Sequence, residues 1–147
     1  RFVWVGGRPF GVLTEGVIRI NDRFRKAGKN VIQTGQVDLE QMPVIYAASD
    51  LMIFPSQQET FGLAPLEAAA SGLPVIFRDL EEYKLLYENP YLKATGNDQY
   101  IQMVRRMIKD KEFYRQGVEI SNRLLTQFDK ERIREKFIAL YESLSVN

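Results

Sequence analysis

An α/β chain built on a doubly wound parallel sheet, with a helical C-terminal segment, is predicted by three features of the sequence. Short apolar runs such as Leu51 to Phe54 and Pro74 to Phe77 show no polar alternation, the mark of strands buried on both faces. Longer stretches with helical spacing separate them, so strands alternate with helices through residue 100. Beyond that point apolar residues recur only at helical intervals. With 147 residues, 45% of them hydrophobic, the chain can close one domain around a real core.

Arg1 to Val5 reads as the first strand; it starts abruptly, with neither an initiator methionine nor a cap, and predicts a fragment. Gly6-Gly7-Arg8-Pro9-Phe10-Gly11 follows as a glycine-rich turn of the kind that cradles phosphate. It lacks the second glycine pair of a dinucleotide fingerprint, and a tight strand-to-helix turn is its simpler reading. Thr14 can cap a helix running to Ala27, with Val17, Ile18, Ile20 and Phe24 as its buried stripe and Gly28 as its stop. Asn30 to Thr34 is the next strand, and Gly35-Gln36-Val37-Asp38 opens a loop. Leu39 to Ala48 suggests a short helix in which Pro43 is tolerated in the first turn. Asp50, a cap or turn residue, leads into the Leu51 to Phe54 strand.

After the Pro74 to Phe77 strand, Arg78-Asp79-Leu80 turns into a helix carrying Tyr83, Leu86 and Tyr87, which Asn89-Pro90 stops. Tyr91 to Ala94 reads as a short edge strand. Asn97 or Asp98 caps a helix through Ile108 with Ile101, Val104 and Ile108 on one face, and Arg105, Arg106, Lys109 and Lys111 form a solvated basic run. Phe113 to Phe128 and Lys130 to Leu144 complete the chain, the last helix lining up Ile133, Phe137, Leu140, Tyr141 and Leu144.

Composition narrows the chemistry. Zero cysteines exclude disulfides and thiolates, and zero histidines remove the usual general base and metal ligand. Carboxylates, lysine, arginine, hydroxyls and backbone must do the work. No run is long enough to span a bilayer. The net charge of +1 is unevenly spread: residues 1–36 hold seven Lys or Arg against two acids, residues 37–82 one against eight, and residues 83–147 twelve against nine. A nucleic-acid binder concentrates positive charge at its site, whereas the candidate site here falls in the acidic third, so no nucleic-acid partner is expected.

That site is the stretch from Phe54-Pro55-Ser56 to Pro74-Val75-Ile76. It reads as strand, polar loop, a helix opening near Gly62 and closing at Gly72, then strand, and in an open parallel sheet ligands bind beyond the carboxyl ends of strands. Glu59 lies just before the helix and Glu67 a little over two turns later, so both can address one cleft. Thr60, Phe61, Gly62 and Leu63 supply backbone N–H groups at a helix N-terminus, which favours phosphate, and Gly62 allows close approach. The ordinary alternative makes Glu59 a favourable first-turn charge and Glu67 a solvated helix residue. Leu66, Ala68, Ala69 and the Gly72-Leu73-Pro74 stop argue for a tightly packed helix, a costly place for an unpartnered glutamate.

Glu59, seven residues, Glu67, preceded by Phe-Pro-Ser and followed by Ala-Ala-Ala-Ser-Gly-Leu-Pro-Val-Ile, resembles the nucleotide-sugar-binding half of retaining glycosyltransferases of family 4 (group 1), and the resemblance runs over nearly the whole chain. It implies the Rossmann-like C-terminal half of a two-domain GT-B fold. On that pattern residues 1–147 are a single donor-binding domain fragment without the first strand and helix of this half and without the N-terminal acceptor domain. The resemblance gives Glu59 the catalytic role: it hydrogen-bonds hydroxyls of the transferred sugar and faces an oxocarbenium-like transition state. Glu67 grips the ribose hydroxyls, and the main chain of Thr60, Phe61, Gly62 and Leu63 meets sugar or diphosphate. Gly7 faces the interdomain cleft, and main-chain groups near Val37 recognise the base. No metal or other cofactor is implied; the donor is a UDP-sugar. The family's diphosphate-binding Arg and Lys lie before the position of Arg1, so this piece alone is expected to transfer no sugar.

Phe2-Val3-Trp4-Val5 with the following turn, together with Asn21-Asp22-Arg23, looks like the Gram-positive subgroup that glucosylates diacylglycerol. That implies UDP-glucose as donor, a lipid or glycolipid acceptor held by the N-terminal domain, and a cytoplasmic enzyme in peripheral contact with the inner face of the plasma membrane. Two rivals stand beside this reading. A nucleotide-sugar 2-epimerase half shares the fold but calls on histidine, which is absent here. A non-catalytic nucleotide-binding or receiver-type module would want clustered acids at strand ends, which Asp50 and Asp79 do not supply.

Overall fold

The computed structural model describes residues 1–7, 17–88 and 90–144. The expectations placed on Thr14, on Arg8 to Gly11 and on Asn89 lie outside these residues. The chain divides into two compact units, Arg1–Val44 and Ile45–Asn147. Both are α/β with parallel pairing, but the described strands form two separate ladders rather than one sheet.

In the first unit β1 (Phe2–Val5) pairs in parallel with β2 (Val31–Gly35), setting Phe2 opposite Val31 and Trp4 opposite Gln33, and α1 (Val17–Ala27) is the crossover. The ring of Phe24 meets Trp4 edge to face at 5.4 Å, which docks α1 on the ladder. Burial on both faces is not realised here: Phe2, Val3, Trp4 and Ile32 are all exposed, because one helix cannot cover two faces of a ladder. Ile18, expected in the helix stripe, is also exposed. A 3₁₀ turn at Leu39–Gln41 runs directly into α2 (Met42–Ala47), so the expected short helix forms in two pieces with Pro43 in the first turn of the second.

The second unit holds the main core. β3 (Met52–Phe54), β4 (Val75–Arg78) and β5 (Leu92–Ala94) form a parallel sheet in that order, with Ile53 opposite Ile76 and Ile76 opposite Leu92. The strands are shorter or shifted by one residue relative to the sequence reading, and β5 is the edge strand it expects. Central β4 is the most buried strand, with Val75, Ile76 and Phe77 at most 1% exposed. On one face Ile76 and Ala94 pack with Tyr100 of α5 (Asn97–Lys109), flanked by Leu51, Ile53, Leu92, Met103 and Val104. Ile101 and Ile108 face solvent instead, so the buried stripe of α5 is Tyr100, Met103, Val104 and Met107. Gly96 occupies the N-cap, and neither Asn97 nor Asp98 caps the helix by its side chain.

α3 (Leu63–Ala70) and α6 (Lys111–Gln127) pack closely because Ala68 and Ala69 are fully buried small residues. At Gly117 of α6 a Cβ would stand 3.2 Å from Pro74 Cβ and 3.3 Å from Leu92 Cδ1, so only glycine fits without displacing neighbours. Ser121, 1% exposed, accepts the Val75 N–H at 2.9 Å and so terminates β4 with a satisfied donor. Buried Gln127 donates to the Leu86 carbonyl and accepts from the Glu88 N–H, holding the end of α4 (Glu81–Leu86). α7 (Lys130–Leu144) is tied by Arg132 and Lys136 to Glu88, and most of its apolar stripe, including Phe137, Leu140 and Leu144, is exposed. No helix among the described residues is long and apolar enough to cross a membrane.

An aromatic cluster joins these pieces. Phe77 sits 5.2 Å from Tyr83, 5.4 Å from Tyr87 and 5.4 Å from Tyr91, and Tyr87 in turn meets Phe128 at 5.9 Å. Burial raises the hydroxyls of Tyr83, Tyr91 and Tyr100 above their ordinary range and pushes Tyr87 up to about 12.

Two outcomes are expected. Ser121→Ala leaves the buried Val75 N–H unpaired and should lower the unfolding free energy by about 1–3 kcal/mol in urea with an unchanged slope. Because the unfolded chain releases phenolic protons near its ordinary value of about 10 while the folded chain keeps them, stability should fall as pH rises past that value. Urea midpoints followed from about pH 8 to about pH 11 check this; a flat profile contradicts it.

Candidate functional site

The loop from Pro55 to Gly62 leaves the carboxyl end of β3 and turns into α3. Gly62 is the N-cap residue of α3, at φ +74° and ψ +75°, a left-handed conformation that L side chains resist. A Cβ there would stand 3.4 Å from the Phe54 ring and 3.6 Å from the Tyr83 hydroxyl. No side chain caps this helix, so its first-turn N–H groups face outward at the positive end of the helix dipole. Gly72, at φ +84°, follows the last turn as the sequence expects.

Of the residues singled out in this stretch, Glu59 is half-buried, Thr60 exposed, Phe61 and Gly62 half-buried, and Leu63 exposed. The Phe61 ring meets Phe128 edge to face at 5.1 Å, which fixes one end of the loop to the end of α6. Glu67 is half-buried on α3, and the Tyr46 hydroxyl donates to its Oε2 at 2.9 Å. The solvated-helix reading of Glu67 therefore does not hold: its carboxylate is oriented by a partner from α2. Burial, then the hydrogen bond to Glu67 and its charge, holds the Tyr46 proton well above its ordinary range, so the hydroxyl stays a donor. With one lone pair so engaged, the carboxylate keeps acceptor capacity for a diol.

Three further groups at the carboxyl edge of this sheet escaped the sequence reading. Tyr46 is the first; its place on a short helix with no clear stripe gave no signal of a partner 21 positions away. Arg78, the single cation of the acidic third, ends β4 and donates from Nε to the Pro55 carbonyl at 3.1 Å. It forms no ion pair among the described residues, and its solitary position in an acidic stretch was the available signal. Tyr83, 1% exposed on α4, sets its hydroxyl beside Gly62. Next to them Tyr100 donates to the Phe54 carbonyl at 3.2 Å, and Asp79 pairs with Lys93 and Lys84.

The first unit brings its own two candidates together. The Gly6 N–H donates to the Gly35 carbonyl at 3.0 Å where β1 and β2 end. Gly7 follows there, and a Cβ on it would stand 3.3 Å from Gln36 Cβ, beside half-buried Val37. Gly6 and Gly35, and Gly7 and Gln36, each 29 positions apart, thus meet at one end of the ladder, with Val37 next in sequence. Among the described residues no three carboxylates converge in a way that could hold a metal ion.

Known proteins resemble this chain in sequence and in fold. The family described as glycosyl transferases group 1 matches residues 1–110. An alpha-galactosylglucosyldiacylglycerol synthase of Streptococcus pneumoniae (strain ATCC BAA-255 / R6) is 28% identical over 141 residues, 96% of this chain and 38% of that protein. A processive diacylglycerol alpha-glucosyltransferase of Acholeplasma laidlawii is 26% identical over 145 residues, 97% of this chain and 42% of that protein. The chain therefore spans about two-fifths of the length of these relatives. Among solved structures, sucrose-phosphate synthase from Thermosynechococcus elongatus superposes with a TM-score of 0.77 at 26% identity, over 98% of this chain and 38% of that one. Anabaena HepE, solved in complex with UDP, superposes with a TM-score of 0.78 at 24% identity, over 96% and 40%, and shares the fold. With the family match running from the first strand through α5 and the Glu59 to Glu67 stretch inside it, the chain belongs to the group 1 glycosyl transferases.

Proposed function

We propose that this chain is the donor-binding part of a retaining glycosyltransferase that moves a hexose, glucose in the narrower reading, from a UDP-sugar to diacylglycerol or a glycolipid. The observation that carries the donor site is Glu67, half-buried on α3 and oriented by the Tyr46 hydroxyl at 2.9 Å. A carboxylate held by one donor and open on its remaining lone pairs suits the paired hydroxyls of a ribose. Next to it the uncapped N-terminus of α3, preceded by left-handed Gly62, offers N–H groups and a positive dipole end to a diphosphate. Thr60, Phe61 and Leu63 contribute main chain to that turn; the assignment of Gly7 and Val37 to the nucleobase is a separate proposal that concerns the first unit by itself.

Glu59 supplies the charge at the reacting sugar. When the bond to the leaving UDP stretches, positive charge grows on the ring, and a fixed carboxylate stabilises it more than it stabilises the ground state. Negative charge grows on the departing diphosphate, where the α3 dipole meets it and Arg78, in no ion pair among the described residues, adds a cation. The chemistry as proposed runs on these groups without a metal. The lipid acceptor is read from the names of two relatives, a galactosylglucosyldiacylglycerol synthase and a diacylglycerol glucosyltransferase, and contact with the inner face of the plasma membrane is proposed on the strength of such an acceptor.

Calorimetric titration of UDP and UDP-glucose into the full-length protein tests the site, with GDP and NAD as competitors of other chemistry. Glu67→Ala removes an acceptor of charge-assisted bonds and should weaken UDP binding by about 10–100-fold. Tyr46→Phe keeps the carboxylate but frees its rotamer and should weaken it by about 3–10-fold. Unchanged affinity in both variants, with folding intact, removes the ribose assignment. Transfer to soluble sugars only, in an assay offering lipid extracts, removes the lipid acceptor.

A further inference from the structure

We propose that Tyr83 is a positioning residue of this site, its hydroxyl holding the Glu59 loop in register when the nucleotide-sugar is bound; the inference rests on the donor-site reading above. Tyr83 is 1% exposed, and its hydroxyl has no hydrogen-bond partner among the described residues. A buried hydroxyl left unpaired is worse for stability than the hydrogen of a phenylalanine, so packing alone favours Phe at this position. The ring itself is firmly placed. Phe77, Tyr87 and Tyr91 surround it at 5.2, 5.6 and 6.2 Å, and Gln127 fixes the end of the helix that carries it.

The direction of the hydroxyl identifies its target. It stands 3.6 Å from the Cβ position of Gly62, the turn that opens α3. The charge of Glu59 is near enough to help hold the Tyr83 proton above its ordinary range, second only to burial, and the same carboxylate also acts on Tyr87. A protonated donor therefore stands at the Gly62 turn, three residues along the loop from Glu59, with no partner among the described residues. The loop is fixed at both ends, by Phe54 in β3 and by Phe61 against Phe128, with Glu59 between them. A small shift of Glu59 towards the sheet, as sugar hydroxyls engage its other oxygen, would satisfy the Tyr83 donor and fix the carboxylate at the reacting carbon. Tyr87 and Tyr91 also carry unpaired hydroxyls, but neither stands beside Gly62.

Tyr83→Phe in the full-length protein tests this by separating stability from turnover. The variant should keep or raise the melting temperature, because an unpaired buried hydroxyl is removed. It should bind UDP as the wild type does, and lose about tenfold in kcat for transfer from UDP-glucose, the worth of one hydrogen bond made in the transition state. If Tyr83 acts through Glu59, adding Tyr83→Phe to Glu59→Gln should cost nothing further in kcat. Wild-type kcat in Tyr83→Phe, an equal loss of UDP affinity, or additive losses in the double variant would each overturn the proposal while leaving the donor-site reading in place. Failure of the wild-type protein to bind UDP would overturn that reading, and this inference with it.

Discussion

Phe77 is the residue on which the candidate site hangs. It is fully buried at the centre of the three-stranded sheet, and its ring touches Phe54 at 6.4 Å as well as the tyrosines of α4 and of the segment before β5. Each contact has an edge-to-face geometry that favours one arrangement over others. Through Tyr87 and Phe128 the packing returns to Phe61, inside the loop that carries Glu59. Loops beyond strand ends normally vary in position, yet this one is tethered at both ends by aromatic rings. That is the condition a charge-stabilising carboxylate needs, since a misplaced one loses most of its effect.

Polar groups at the same edge follow a different rule from those in the core. In the core the two buried non-aromatic polar side chains among the described residues are satisfied: Ser121 takes the Val75 N–H, and Gln127 serves both Leu86 and Glu88. At the carboxyl edge, the Tyr83 hydroxyl beside Gly62 lacks a partner and Arg78 a counter-ion among the described residues, and the N-cap residue of α3 is a glycine with no side chain to offer. On the proposed reading, unsatisfied donors at the carboxyl ends of parallel strands suit an acceptor-rich ligand such as a sugar diphosphate.

Family membership and local geometry also explain where apolar surface remains. The β1–β2 ladder exposes Phe2, Val3 and Trp4, and α7 exposes Phe137 and Leu140. The two glycolipid-forming relatives are more than twice as long as this chain. Exposed apolar stripes of this size are costly for a lone unit in water and ordinary for part of a larger protein.

The sequence by itself determined the order of elements, the parallel pairing and the strand, loop and helix from Leu51 to Gly72. Four of the five strands contain apolar runs bounded by turn residues, α3 begins and ends beside Gly62 and Gly72, and α7 has the bounds its periodicity gives. These are local signals, set by backbone sterics and by the period of apolar residues, and they survive without knowledge of neighbours. Only the tertiary structure decided which side chains complete the site. Helical spacing favoured Ile101 and Ile108 on α5, yet the sheet buried Tyr100 and Met107, because the face presented depends on what the helix packs against. In the same way Tyr46 meets Glu67, Arg78 meets Pro55, and Tyr83 meets Gly62 across 21 to 23 positions of chain. Contacts at that separation are fixed by strand order and helix docking, and no local pattern in the residues themselves encodes them.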